Sequence, residues 1–282
     1  MTRPVLCIRA DADPRMGTGH LMRCLALAQA WQDAGGETTF LTACRLDSLN
    51  SRLEQEGIQV LPLAAEPGSD ADACETYETA HRLAAGWVVL DGYHFSAAFQ
   101  AQVRRNGVRV LAVDDYGHTD HYAADLVLNQ NLHAREELYH NREQYTRLLL
   151  GTRFALLRRE FRKWRGWKRE APDVARKVLV TLGGSDPDNV TLHAIEALQA
   201  LDWPGLEAVI VVGANNPHME ELESAVAGGE SRIRLCANIA DMADRMAWAD
   251  VAIAAGGTTT WERALMALPS LVMILADNQR EV

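Results

Sequence analysis

Short apolar runs alternate with longer amphipathic stretches along almost the whole chain of 282 residues. The runs are rich in Val and Leu with little polar alternation, which is typical of parallel strands buried on both faces. The strands predicted in the first half are Val5–Ile8, Thr38–Thr42, Gln59–Leu63, Trp87–Leu90, Val108–Val113 and Asp125–Leu128. Those predicted in the second half are Lys177–Leu182, Ala208–Val212, Ile233–Cys236, Val251–Ala254 and Ser270–Leu275. The pattern predicts an α/β protein with parallel sheets covered by helices.

A basic segment rich in aromatic residues separates the two halves. Its charged residues are Arg158, Arg159, Arg162, Lys163, Arg165, Lys168 and Arg169. The segment is interpreted as a solvated connection, with a basic patch facing an anionic ligand or surface as the alternative. We therefore predict a Rossmann-like domain over residues 1–157, a basic linker over 158–176 and a second Rossmann-like domain over 177–282. A cleft between the two domains is then the expected site.

Composition excludes several classes of function. The formal net charge of -10 argues against nucleic acid as a partner. The five cysteines show no CxxC spacing, so we expect buried small hydrophobes of a reducing compartment. The N-terminus has no apolar signal region, and no run approaches the roughly 18 apolar residues of a membrane span. These features predict a cytoplasmic protein without a membrane partner.

The first predicted strand leads into the loop Gly17-Thr18-Gly19-His20, and a helix follows at once. A glycine loop that opens a helix presents free backbone N–H groups, which suit a phosphate. His20 stands at the helix start, where the helix dipole disfavours an imidazolium, so a neutral base is expected there. Asp11 and Asp13 follow the strand end, and either could orient His20 or serve only in a turn.

The same loop argues against a dinucleotide cofactor. Met22 occupies the place of the third glycine in the dinucleotide fingerprint, and Glu37 precedes the second strand instead of ending it. Two structural alternatives stay open for this loop. Gly17 and Gly19 could only permit a tight turn, and His20 could be a helix-start residue without chemistry.

Three polar turns in the second half also follow predicted strands. In Gly256-Gly257-Thr258-Thr259, glycines would let a phosphate approach the backbone and the threonines would add hydroxyl donors, while Glu262 could bind a ribose. Thr259 with Glu262 also fits a capping box, and the two interpretations are compatible. The other two turns are Gly183-Gly184-Ser185-Asp186 and Asp277-Asn278-Gln279. Asn and Gln in the last turn could cap it or bind sugar hydroxyl and acetamido groups.

A stretch rich in histidine and aspartate raises the question of a metal. Its members are Asp91, Tyr93, His94, Asp114, Asp115, His118 and His121. The HxxH spacing lies on no predicted helix, and the aspartate pair simply follows a strand, so no metal is expected. Tyr93, at the end of its strand, is predicted to contact the cleft.

Nine ordered blocks, which together span nearly the whole chain, carry a family resemblance. They are Arg9-x-Asp11 with Gly17-x-Gly19-His20-x-x-Arg23; Asp91-Gly92-Tyr93; Val113-Asp114-Asp115; Leu128-Asn129-Gln130-Asn131; Ala155-Leu156-Leu157-Arg158-x-Glu160-Phe161; Leu182-Gly183-Gly184-Ser185-Asp186-Pro187; Asn238-Ile239-x-x-Met242; Gly256-Gly257-Thr258-Thr259-x-Trp261-Glu262; and Ala276-Asp277-Asn278-Gln279. On these residues the chain resembles the UDP-2,4-diacetamido-2,4,6-trideoxy-β-L-altropyranose hydrolases of pseudaminic acid biosynthesis. That family is similar to the GT-B N-acetylglucosaminyltransferase that makes the peptidoglycan lipid precursor.

The resemblance implies a GT-B-like fold with UDP held mainly by the second domain. Uracil would lie along the backbone near Ile239 and Met242, ribose on Glu262, and pyrophosphate on Gly257 to Thr259 and Ser185. His20 would activate water for attack at the anomeric carbon, and UDP would leave as C1–O cleaves, with inversion and without metal or cofactor. Asp11, Tyr93 and Asn278 would support catalysis. The remaining residues implied in substrate binding are Arg9, Gly17, Gly19, Arg23, Gly184, Asp277 and Gln279.

One departure and two rival functions accompany this resemblance. The family continues past the Asp-Asn-Gln motif, whereas this chain stops at Val282, so we expect a shortened second domain that binds UDP and hydrolyses poorly. The rivals are a GT-B glycosyltransferase that moves the sugar to an acceptor, and a nucleotide-sugar binding module without chemistry. A monomer is expected, in a pathway such as flagellin glycosylation.

Overall fold

The computed structural model describes residues 3–12, 18–43, 47–184, 186–213, 216–227, 232–237, 239–276 and 279–280. These residues form two compact units, the first from 3–12 and 20–159 and the second from 18–19 and 160–280. Each unit contains one parallel sheet, of seven strands in the first and five in the second. The predicted α/β class with two parallel sheets is confirmed, while the exact domain boundaries stay a prediction.

The first unit alternates strands and helices until its last third. Its elements are β1 (Val5–Ala10), α1 (Gly19–Asp33), β2 (Glu37–Thr42), α2 (Asp47–Gln55), β3 (Gln59–Pro62), α3 (Asp70–Arg82), β4 (Trp87–Asp91), α4 (Ala97–Val103), β5 (Arg109–Val113), β6 (Leu126–Asn129) and β7 (Arg147–Leu150). The sheet order is β3-β2-β1-β4-β5-β6-β7. The winding reverses between β1 and β4, where a doubly wound sheet opens a crevice beyond its carboxyl ends. Strand β7 is absent from the sequence-based assignment.

Helices cover both faces of this sheet, which explains the lack of polar alternation in its strands. Successive residues of β1 point to opposite cores: Cys7 packs with Val88 on one face, and Ile8 packs with Leu25 of α1 and Phe40 on the other. All five of these side chains are shielded from solvent. Strands enclosed on both faces need apolar residues at every position, so the pattern in the sequence follows directly from the packing.

The second unit repeats the alternation with fewer strands. It contains β8 (Lys177–Thr181), α5 (Val190–Ala200), β9 (Glu207–Val212), α6 (Met219–Ala227), β10 (Ile233–Ala237), α7 (Met242–Trp248), β11 (Val251–Ala255), α8 (Thr259–Leu265) and β12 (Ser270–Met273). The sheet order is β10-β9-β8-β11-β12, so the winding reverses between β8 and β11. No helix in the described part of the chain combines the length and apolar character needed to cross a bilayer.

The basic segment packs more than a wholly solvated connection would. Phe161 is fully buried in the core of the second unit, and Trp164 and Trp167 pack against the same core. Arg169 donates to the carbonyl oxygens of Met246 at 2.6 Å and Met266 at 3.1 Å, and also to that of Ala249. These carbonyls lie at the C-terminal ends of α7 and α8, where helices leave acceptors without an intrahelical partner. A single guanidinium therefore satisfies both helix ends.

Arg169→Met is expected to destabilise the protein because three carbonyl acceptors lose a charged donor. The free energy of unfolding should fall by about 1.5–3 kcal/mol, the usual range for hydrogen bonds to charged groups. Urea unfolding followed by tryptophan fluorescence measures the change. Arg165→Met is the matched control, because Arg165 is exposed in the same segment and should alter stability by no more than about 0.5 kcal/mol. Equal unfolding midpoints for the two variants would contradict the capping role.

Candidate functional site

Buried acidic and amide side chains gather where the winding of the first sheet reverses. Asp11 follows β1, Asp91 ends β4, the pair Asp114-Asp115 follows β5, and Asn129 ends β6. Ala10 pairs with Asp91 in the register of β1 and β4, so these strands end at the same level. All five polar residues have less than a tenth of their surface exposed. Polar groups buried at such an edge need partners, and a site is expected where they converge.

Arg23 of α1 connects two of these carboxylates. Its Nε and Nη2 each lie 2.7 Å from an Asp91 oxygen, and its Nη1 lies 2.8 Å from both oxygens of Asp115. Burial alone would raise the pKa of Asp91 and of Asp115, but the Arg23 guanidinium brings both pKa values below the ordinary range. Arg23 is only 3% exposed. Its donors hold carboxylates of the protein, and the role in substrate binding implied by the resemblance stays a prediction.

His20 lies in the first turn of α1 and contacts the same cluster. Its Nδ1 is 2.5 Å from Asp91 Oδ1. Arg23 Nη2 also lies 3.1 Å from Nδ1, but the carboxylate that Arg23 keeps ionised can only accept, so the shorter contact assigns the hydrogen to Nδ1. A neutral ring then has its lone pair on Nε2, as in histidines oriented by an aspartate for proton transfer. The orienting residue is therefore Asp91, whereas the sequence had suggested Asp11 or Asp13; Asp13 lies outside the described residues.

Asp115 extends the cluster towards Tyr93 and the end of β6. The Tyr93 hydroxyl donates to Asp115 at 2.7 Å, and Asn131 Nδ2 donates to the same carboxylate at 2.8 Å. Asn129 Nδ2 donates to the Asp115 carbonyl at 2.8 Å. The Tyr93 ring packs edge-on against the His20 ring, with centroids 4.9 Å apart. Tyr93 thus links the predicted base to Asp115, a residue to which the sequence assigned no role.

A second buried network surrounds Asp11. Arg9 has no exposed surface, binds both oxygens of Asp72 at 2.9 Å, and lies 2.6 Å from Asp11 Oδ1. Asp11 also accepts from the Ala43 amide at 2.8 Å. Burial would raise the pKa of Asp11, but His94 and Arg9 lower it below the ordinary range. Arg9 thus positions these two carboxylates, and the substrate contact implied for it by the resemblance stays a prediction.

The histidine-rich stretch has a structural explanation. Asp114 accepts backbone hydrogen bonds from residues 115 to 118, at 2.5 to 3.3 Å, and a hydroxyl hydrogen bond from Tyr122. His118 Nδ1 lies 3.1 Å from Asp114, and His121 contacts Asn141 and Glu143. Within the part of the chain that the structure describes, no three His, Cys, Asp or Glu side chains converge as metal ligands.

Asp114 makes stability depend on pH in the acidic range. Burial would raise its pKa, but His118, Tyr122 and the turn amides lower it to about 2, below the ordinary 3.8. A carboxyl with a lowered folded-state pKa stabilises the protein above its unfolded pKa and loses that effect as pH falls. Stability should therefore decline between about pH 4 and pH 2, with a contribution from Asp114 of about 2 kcal/mol.

Asp114→Asn should flatten this decline, because an amide cannot take up the proton. Urea unfolding at pH 7 and at pH 3 measures the difference in stability for each protein. Asp120→Asn is the control, since Asp120 lies nearby in the same segment but is exposed to solvent instead of enclosed by donors. An Asp114→Asn protein whose stability falls with acid as steeply as the wild type would refute the assignment.

In the second unit, the loop between β11 and α8 is shaped by its glycines. A Cβ at Gly256 would come within 3.2 Å of Gln279, whereas a Cβ at Gly257 would meet nothing within 4 Å. Helix α8 begins at Thr259, and its N-cap residue is Thr258, whose side chain makes no capping hydrogen bond. The capping box predicted between Thr259 and Glu262 is therefore not the cap of this helix. Glu262 itself is 5% exposed.

Several other residues predicted to contact the ligand in this unit pack against, or hydrogen-bond to, the protein itself. Met242 begins α7 with 7% of its surface exposed, and Ile239 packs against the same core. Gln279 accepts from the Leu275 amide at 3.0 Å, which is the turn-capping alternative given for this motif. The backbones of Gly184 and Gly213 pass so close to each other that a Cβ on Gly213 would fall 2.0 Å from the carbonyl oxygen of Gly184. Four predicted site residues lie outside the described residues: Gly17, Ser185, Asp277 and Asn278.

Sequence comparison finds only distant relatives of this chain. No family model matches the chain. The uncharacterized protein MJ1062 of Methanocaldococcus jannaschii is 24% identical over 98% of this chain and 57% of its own length. The spore coat polysaccharide biosynthesis protein SpsG of Bacillus subtilis is 31% identical over 37% of this chain and 31% of its own length. The chain therefore spans little more than half of the first relative and a third of the second.

A third relative is the UDP-2,4-diacetamido-2,4,6-trideoxy-β-L-altropyranose hydrolase of Campylobacter jejuni. It is 24% identical over 76% of this chain and 72% of its own length. Among solved structures, MurG of Acinetobacter baumannii is 17% identical with a TM-score of 0.59, and the MnaA–UDP co-structure of S. aureus is 14% identical with a TM-score of 0.61. Each match extends over 99% of this chain and over 81% of the chain in the solved structure. These structures establish that the chain has a GT-B fold.

Proposed function

We propose that the chain is an enzyme that hydrolyses a UDP-linked 2,4-diacetamido-2,4,6-trideoxyhexose to the free sugar and UDP. The observation that carries the proposal is the 2.5 Å contact between His20 Nδ1 and Asp91, which leaves Nε2 of a neutral ring to accept a proton. Support comes from the nine sequence blocks and from the similarity to the C. jejuni hydrolase. The MnaA–UDP structure adds that a protein of this fold binds UDP.

In the proposed reaction His20 Nε2 takes a proton from water as the water oxygen attacks the anomeric carbon. The C1–O bond breaks, its electron pair leaves with UDP, and the configuration at C1 inverts. The imidazolium that forms is stabilised by the ionised Asp91 beside Nδ1, because a buried carboxylate opposes the new positive charge. Tyr93 and Asp11 would act around the sugar in this scheme, together with Asn278.

The UDP moiety is assigned to the second unit. Open space beside Gly257 permits close approach of a phosphate to the backbone, and Thr258 keeps its hydroxyl out of a helix cap. Thr259 and Ser185 would complete the pyrophosphate contacts. Glu262 would bind the ribose, and uracil would lie along the backbone near Ile239 and Met242. The buried Met242 side chain is compatible with this arrangement, since backbone groups would make the contact.

His20→Gln is expected to lower kcat by roughly 10²–10⁴-fold, the usual contribution of a general base, without changing the affinity for UDP. A UDP-release assay with the diacetamido sugar nucleotide measures turnover, and titration calorimetry measures UDP binding. His121→Gln is the control because His121 lies near the surface, where it is within hydrogen-bond distance of Asn141 and Glu143. Turnover retained in His20→Gln would rule out the base assignment.

A hydrolase should release UDP without any sugar acceptor. In water labelled with the heavy oxygen isotope, the label should appear in the hydroxyl group on C1 of the free sugar and not in UDP, because the proposed cleavage breaks the C1–O bond. Mass spectrometry locates the label, and NMR of the first product gives the anomeric configuration, which should be inverted. UDP release that requires an added acceptor would identify a glycosyltransferase. UDP binding without release would identify a binding module.

A further inference from the structure

Arg263 of α8 is a buried cation in an unusual setting. It is 3% exposed, and its Nη2 donates to the Ala255 carbonyl at 3.0 Å and to Thr260 Oγ1 at 2.9 Å. Its Nε is buried without a hydrogen-bond partner. Both acceptors are neutral, so the guanidinium charge is not compensated by its hydrogen bonds.

Two other buried arginines, Arg9 and Arg23, show what compensation looks like in this protein. Arg9 binds Asp72 and Asp11, and Arg23 binds Asp91 and Asp115. Despite burial, these carboxylates raise the pKa of both arginines above the ordinary value. Burial lowers the pKa of Arg263, and no acidic side chain in the described ranges opposes that shift. A buried charge without a partner lowers the stability of the folded protein, so the presence of Arg263 at this position needs an explanation.

The position of Arg263 suggests what would supply the missing negative charge. Ala255 ends β11 and Thr260 lies in the first turn of α8, so the guanidinium joins the two ends of the loop over residues 256–259. Gly257 in this loop has open space where a side chain would otherwise stand. Thr258 and Thr259 are partly exposed beside it. An anion on the loop would therefore approach a fixed positive charge with little intervening solvent.

We propose that Arg263 is the counter-charge for a phosphate or diphosphate group bound on the loop of residues 256–259. Because the side chain is enclosed, Arg263 acts as a positioning residue: it attracts the anion through a weakly screened field and holds the loop that contacts it. The inference rests on the proposed function in one respect, since the diphosphate of a UDP-sugar would be the natural anion. The unpaired charge of Arg263 requires only a ligand that contains phosphate.

The test compares Arg263→Gln with Arg263→Lys, because the first keeps a hydrogen-bond donor without charge and the second keeps the charge. Calorimetry with UDP, inorganic pyrophosphate and uridine gives the affinities. Arg263→Gln should weaken UDP and pyrophosphate by roughly 10- to 100-fold, the order expected for the loss of one weakly screened charge a few ångströms from the anion, and leave uridine unchanged. Arg263→Lys should retain most of the affinity for both anions. Thermal unfolding establishes that each variant is folded.

Arg169→Met is the matched control, because Arg169 likewise donates to neutral oxygens of this unit but lies at the C-terminal ends of α7 and α8. It should lower stability and leave pyrophosphate affinity unchanged. The inference is overturned if Arg263→Gln binds both anions like the wild type, if Lys and Gln weaken them equally, if uridine weakens in parallel with UDP, or if the wild type binds neither anion.

The two proposals can fail separately. A wild-type protein that binds pyrophosphate in an Arg263-dependent manner but releases no UDP from the sugar nucleotide would refute the hydrolase and support the counter-charge. A wild-type protein that hydrolyses the sugar nucleotide, with UDP affinity unchanged in Arg263→Gln, would refute the counter-charge and support the hydrolase.

Discussion

The ion pairs of Arg23 with Asp91 and Asp115 join helix α1 to the carboxyl ends of β4 and β5. Because the three side chains are almost fully enclosed, removal of Arg23 would leave two buried carboxylates without their cation, and breaking a buried ion pair typically costs about 3–5 kcal/mol. The same pairs fix the orientation of Asp91, and Asp91 in turn fixes His20 and its tautomer. The geometry of the candidate base thus depends on an interaction that also holds the sheet edge and its first helix together.

Three buried arginines, Arg9, Arg23 and Arg263, differ in whether carboxylates of the protein lie against them. Arg9 and Arg23 lie in the first unit with two carboxylates each, so their charges are balanced by the protein alone. Arg263 lies in the second unit with neutral partners only. If the charge of Arg263 serves a ligand, the second unit gains its charge balance when the ligand binds. The charges of Arg9 and Arg23 need no ligand for theirs.

The fold was predictable because a strand that is buried on both faces shows an apolar run in its own local sequence. Runs such as Val108–Val113 are apolar at nearly every position, and the structure encloses β5 on both faces. Strand β7 was not predicted because it is only four residues long and follows β6 without an intervening α-helix. The partners of the site residues were harder to predict, since Arg9 meets Asp72 63 positions away and His20 meets Asp91 71 positions away. Such pairs follow from strand order, and no local pattern encodes it.

The charge balance around His20 favours its proposed role over that of a helix-start residue without chemistry. Arg23 supplies one positive charge to two carboxylates, so the cluster retains one negative charge while the ring is neutral. A proton transferred from water to Nε2 would cancel that remainder, in a site with little water to screen it. An isolated helix start offers the opposite field, which disfavours a cation. The placement of Asp91 beside Nδ1 therefore supplies what the helix terminus alone lacks: a negative charge that would stabilise the imidazolium of the proposed reaction.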